Sequence, residues 1–224
     1  MNPALLLLSD GRFPAGGHAH SGGVEAAVKA GRVHDAATLH GFCTGRLHTA
    51  GLTAAALAAA AARGDLDPLT LDDAADARIP SPAIRAASRR LGRQLIRAAR
   101  TIWPDPTLDQ LAADRPRGAH QPVVLGRTAA AAGLGPHDAA SAAAYDSVSG
   151  PVTACVRLLG LDPFQATAVL ARLTPDLTTV AAAADRAAEA AAHAGTDALP
   201  AASAPLLDLY AEQHAAWAVR LFAS

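Results

Sequence analysis

The chain has 224 residues, a formal net charge of -1, and 51% apolar residues, yet only 4% of it is aromatic. Near-neutral charge supplies no global field toward nucleic acid or an anionic membrane, and no apolar run approaches the ~20 residues that span a bilayer. Cys43 and Cys155 are too few for a disulfide framework and imply a reducing compartment; Leu5 to Leu8 is too short for a signal-peptide core and no basic segment precedes it, so the expected location is cytoplasmic.

Much of the apolar share is alanine, the strongest helix former. Runs of β-branched residues with period-2 alternation are almost absent. The predicted class is therefore all-α, a compact single-domain bundle of about eight to ten helices over residues 1–224. Residues 195–204 read as a linker, and 205–224 as a C-terminal helix and tail.

In chain order, Pro3 to Leu8 predicts a short helix. It runs into Ser9-Asp10-Gly11-Arg12-Phe13-Pro14-Ala15-Gly16-Gly17-His18-Ala19-His20-Ser21-Gly22-Gly23-Val24-Glu25, whose five glycines and one proline mark a shaped loop. Ser21 or Gly22 should cap a helix through Ala30, with Glu25 and Lys29 as an i,i+4 pair. Lys29 is the only lysine. Asp35 should cap the next helix, in which Leu39, Phe42, Cys43, Leu47 and Ala50 recur at helical spacing and Gly51 interrupts before an alanine run to Ala62. Residues 66–82 are acidic and proline-broken, with room for one or two helical turns over 72–78.

Pro82 to Trp103 is the clearest helix. One face carries Ile84, Ala87, Leu91, Leu95, Ala98 and Ile102, and a stripe of Arg85, Arg89, Arg93, Arg97 and Arg100 runs beside it. That stripe could meet an acidic protein or a nucleic-acid backbone, or be a solvated face neutralised by the aspartates of residues 65–76; no aromatic stacking residues accompany it, which argues against nucleic acid. Further helices are predicted near 108–113, 122–134, 138–159 (bent at Gly150-Pro151), 163–173, 176–194 and 205–219.

The loop does not read as a nucleotide cradle. No G-x-x-x-x-G-K-[ST] pattern is present, and no strand precedes the glycines. His18 and His20 are weak candidate metal ligands, able to bind Ni²⁺, Zn²⁺ or Cu²⁺ through imidazole, but two ligands at that spacing are not a site. No Ser/His/Asp or Cys/His set can be assembled from spacing, so no catalytic residue and no cofactor is expected and the chain reads as a non-enzyme. The last residues place Trp217, Val219, Leu221 and Phe222 near the chain end; they pack either on their own domain or on a partner.

The ordered set of these segments resembles the urease accessory protein UreF family. Ser9, Phe13, Pro14, Gly16, Ser21, Gly23, Val24 and Glu25 are similar to its N-terminal signature. Ser88-Arg-Arg-Leu-Gly-Arg-Gln-Leu95, His120-Gln-Pro-Val-Val-Leu-Gly126, Val156-Arg-Leu-Leu-Gly-Leu161 with Gln165, and Leu207-Asp208 through His214 to Arg220-Leu221-Phe222-Ala223-Ser224 resemble later segments. The chain departs from the family where His18 and His20 replace aromatic residues and where Leu159-Gly160-Leu161-Asp162 alters a Pro-Leu-Gly-Gln region. The resemblance implies an all-helical, non-enzymatic chaperone for nickel insertion into urease. It implies a UreD/UreH-type partner, the GTPase UreG, apo-urease reached through their complex, and frequent dimers, with neither nucleic acid nor membrane. It also implies partner contacts at Phe13, Pro14, Gly16, Ser21, Glu25, Arg220, Leu221, Phe222 and Ser224. The alternative reading is a stand-alone nickel-binding metallochaperone that uses His18 and His20.

Overall fold

The computed structural model describes residues 2–17 and 20–222. Among these, the fold is all-α as expected. Its elements are α1 Pro3–Leu8, α2 Val24–Lys29, α3 Ala36–Arg46, α4 Leu52–Arg63, α5 Pro68–Ala77, α6 Pro82–Ile102, α7 Pro106–Asp114, α8 Gln121–Ala131, α9 Pro136–Leu159, α10 Pro163–Arg172, α11 Thr174–Ala194 and α12 Pro205–Ala215. A π-helical turn, Leu47–Gly51, joins α3 to α4, so Gly51 shifts the helix register without ending it.

The helix starts follow local chemistry. Asp35 and Thr38 form a reciprocal capping box at α3. Asp67, Ser81 and Asp105 each accept a backbone N–H of the helix that follows and precede a proline at its first position. At α2 the cap is Gly23 rather than Ser21 or Gly22; Gly22 (φ 59°) and Gly23 (φ 88°) are both left-handed, so two consecutive glycines turn the loop into the helix.

Helix α4, almost all alanine and leucine, sits at the centre and packs against α8, α9 and α11. Alanine permits close approach. At Gly126 of α8 even a Cβ would stand 2.1 Å from the Ala58 carbonyl oxygen of α4. A single cluster of buried apolar residues draws on every α-helix, from Leu8 to Tyr210, and reaches Phe222 in the tail.

Two expectations change. Residues 68–77 form a full helix, α5, where only a turn or two was predicted. The prolines that argued against it sit outside or at its first position, and its aspartates serve as acceptors for distant groups. The last helix ends at Ala215 rather than near Val219. The 138–159 segment is helical as expected, and α9 continues through Gly150 and Pro151.

Candidate functional site

The loop before α2 and the tail after α12 meet. Glu25, on the first turn of α2, accepts three hydrogen bonds from the C-terminal segment: His214 Nε2 at 2.8 Å, the Leu221 amide at 2.8 Å and the Phe222 amide at 3.1 Å. The imidazole nitrogen facing a carboxylate carries the proton, which fixes His214 as a donor here. Burial alone would push the Glu25 carboxyl up. The bonds from His214, Leu221 and Phe222 outweigh that and hold it below the ordinary range.

Aromatic contacts complete the closure. The Phe222 ring is 7% exposed and lies 5.1 Å from the Arg157 guanidinium. Trp217 tilts against His214 with ring centres 4.8 Å apart, and the Lys29 ammonium stands 3.7 Å over the Trp217 ring. The expected Glu25–Lys29 pair is therefore not formed: each partner is taken by a residue about 190 positions away, because a buried carboxylate gains more from three directed donors than from one exposed ammonium. Outside this closure the tail stays apolar and open to solvent, with Val219 at 86% and Leu221 at 52% exposure and Arg220 also exposed.

The rest of the loop is fixed from below. Phe13 is buried and stacks on Trp103 at the end of α6, with centroids 5.9 Å apart and planes 13° from parallel. Asp10 is clamped by Arg12, whose side chain holds the carboxyl at about 2. Pro14 is exposed, Gly16 lies against Gln94 of α6, and Ser21 is fully buried. Of the residues singled out from sequence, the structure thus brings Glu25, Leu221 and Phe222 into direct contact and places Phe13, Gly16 and Ser21 in the loop's packing. It leaves Pro14 and Arg220 facing solvent. His18 and Ser224 lie outside the described residues, and His20 lines a cavity. Among the described residues no group of three or more His, Cys, Asp or Glu could hold a metal ion.

A second polar cluster was invisible to spacing. Asp72 of α5, fully buried, accepts from Arg89 (3.1 Å), Arg115 (2.8 Å) and the His120 amide (2.6 Å). His120, also fully buried, reaches Asp76 with Nε2 (3.0 Å) and Ser88 with Nδ1 (3.1 Å). Burial pushes its pKa down, so the ring is neutral. Nε2 then donates to the carboxylate and Nδ1 accepts from the Ser88 hydroxyl. The order Ser–His–Asp is that of a nucleophilic relay, but every member is already engaged structurally: Ser88 Oγ accepts from the Gln121 amide, and Asp76 from Arg89. The cluster braces α5, α6 and the start of α8. It also answers the arginine stripe: Arg85 and Arg89 are bound internally and Arg100 pairs with Asp109, while Arg93 and Arg97 face solvent.

The two cysteines are interior residues, both fully buried, with thiols pushed up to about 12 by burial. No helix among the described residues is long and apolar enough to cross a membrane.

Comparison with known proteins gives one answer throughout. The family model for UreF matches residues 33–174, which excludes both the loop and the tail. Relatives match over nearly the whole chain. A urease accessory protein UreF of Mycolicibacterium vanbaalenii is 45% identical over 98% of this chain and 97% of its own. Proteins of the same name from Mycobacterium marinum and Mycobacterium tuberculosis are 44% and 42% identical, over 98% and 94% of this chain and 97% and 92% of theirs. The chain belongs to the UreF family of urease accessory proteins, which assist urease and are not themselves enzymes.

Proposed function

We propose that the chain is a single-domain cytoplasmic scaffold for nickel insertion, bridging a UreD/UreH-type protein to the GTPase UreG and through that complex reaching apo-urease. The observation that carries this reading is the form of the tail. Phe222 is anchored inside, while its neighbours Val219 and Leu221 project apolar surface into solvent, the arrangement of a segment kept in shape for a second protein. The loop supports the tail from beneath through Glu25, so both ends of the chain contribute to one surface.

The test is co-purification. Removing residues 220–224 should weaken recovery of the UreD/UreH-type partner and lower urease activation in cells that carry the other accessory proteins. Unchanged complex formation and unchanged activation would overturn the tail's role. Copies of this chain associate through this scaffold in the same reading, which sedimentation at several concentrations checks.

A further inference from the structure

Between the loop before α2 and helices α3, α4, α6, α9 and α12 lies a cavity of about 230 Å³. That is many times the roughly 10–15 Å³ a single water requires. Its lining is mixed. Ile84 and Leu91 of α6 and Leu207 of α12 are apolar, and Arg78 and Asp208 also line it. Arg46 of α3 and Asp146 of α9 add a cation and a carboxylate.

These two charges are not paired with each other. Arg46 spends Nε on the Ser147 carbonyl at 2.8 Å, and its two Nη groups donate to no acceptor among the described residues. Asp146 accepts from Gln121 Nε2 at 3.2 Å through Oδ2, and Oδ1 has no donor among the described residues. Asp146 lines the cavity and keeps accessible surface. Burial accordingly pushes the Asp146 carboxyl up and Arg46 down, the reverse of what a tight ion pair does to its members.

Two further features border the same space. Thr53 lines the cavity and is 7% exposed; its hydroxyl oxygen is itself buried and has no partner among the described residues. Other helical threonines here bond back to the carbonyl four residues earlier, as Thr44, Thr49 and Thr128 do. The loop glycines also leave the space before the charges open: a Cβ on Gly17 would lie 3.8 Å from Asp146 Oδ1, and one on Gly22 would lie 3.4 Å from Arg46 Cζ.

We propose that this cavity binds a free α-amino acid with an apolar side chain, its carboxylate on Arg46, its ammonium on Asp146, and its side chain toward Ile84, Leu91 and Leu207. Arg46 offers a planar fork of donors suited to a carboxylate. Asp146 supplies the acceptor an ammonium needs. The site is a different one from the tail surface and does not depend on the scaffold reading.

Calorimetric titration of the full chain with L-leucine tests it. Saturable binding with Kd near or below about 1 mM is expected. Glycine, L-leucinamide and 4-methylpentanoate, which lack the side chain, the carboxylate and the ammonium respectively, should each bind at least about tenfold more weakly. Arg46→Gln and Asp146→Asn should each lose a similar factor while keeping the native helical circular dichroism. Ala54→Leu, which fills the cavity and leaves both charges, should abolish binding. No saturable binding of leucine overturns the proposal, as does equal binding of leucinamide or 4-methylpentanoate, or binding that survives Ala54→Leu. The ligand series uses the unaltered protein, so it decides even if a variant fails to fold.

Discussion

Glu25 and Phe222 stand 197 positions apart and are joined by a hydrogen bond of 3.1 Å from the Phe222 amide to the carboxylate. With the Leu221 and His214 donors it makes Glu25 a point where α2, α12 and the tail are tied together. Replacing it with alanine leaves an imidazole N–H and two amides without their acceptor. Hydrogen bonds to charged groups contribute about 1.5–3 kcal/mol each in net terms and are not additive. Glu25→Ala should therefore cost about 2–3 kcal/mol in denaturant unfolding, with Glu25→Gln losing less. Hydrogen exchange of α12 and of the Leu221 and Phe222 amides should rise in both variants.

The same group sets part of the response to acid. The folded pKa of Glu25 lies below its ordinary 4.5, and that of Asp76 below 3.8. The unfolded chain thus takes up protons first, so this stabilisation is complete above those ordinary values and is lost as pH falls through the lower folded ones. His120 acts earlier. As a base held neutral by burial, its folded pKa lies below 6.5, so its penalty begins as pH drops under 6.5. Stability should decline in two stages on acidification. His120→Gln should flatten the stage near pH 6, and Glu25→Gln the one below pH 4.5, as read by denaturant midpoints across pH.

Two glycine-to-alanine changes should move stability in opposite directions. Gly41, exposed in α3 with open space where a Cβ would go, should gain up to about 1 kcal/mol from helix propensity. Gly126 would gain the same in principle, but its Cβ would overlap the Ala58 carbonyl at 2.1 Å. Backbone must then move, at about 1–3 kcal/mol for overpacking, which exceeds the propensity gain. Thermal unfolding should place Gly41→Ala above the parent protein and Gly126→Ala below it, by about 2–4 °C per kcal/mol.

Cys43 and Cys155 should be silent toward thiol reagents in the native protein. Both are fully buried and their thiols are pushed up to about 12, which leaves almost no thiolate at neutral pH. Titration with an aromatic disulfide should detect neither until denaturant unfolds the chain, and then both. Fast reaction of either in the folded state would contradict this packing.

Local chemistry was readable where it acts over one or two turns. The Pro82–Ile102 helix follows from its spacing, and the Asp35 cap from its position. Glu25, Leu221 and Phe222 were each singled out from the sequence, but their meeting was not, since nothing in either segment specifies a partner nearly 200 positions away. The Glu25–Lys29 pair failed for the same reason: i,i+4 proximity is a weak preference that tertiary donors override. Helix α5 was underestimated because its aspartates look like a solvated run; their cationic partners lie on α6 and beyond α7. The cavity could not be read at all, because Arg46 and Asp146 sit 100 positions apart and only the folded loop brings Gly17 and Gly22 in front of them.

Asp72 has one more implication, for synthesis. Its three donors, on Arg89, Arg115 and His120, follow it by 17, 43 and 48 positions. A ribosome delivers this carboxylate long before it delivers the last of them, so α5 emerges with an anion that water must solvate in the meantime. Its docking has to wait until residue 120 has left the exit tunnel, which makes the α5–α6–α8 corner a late step in co-translational folding.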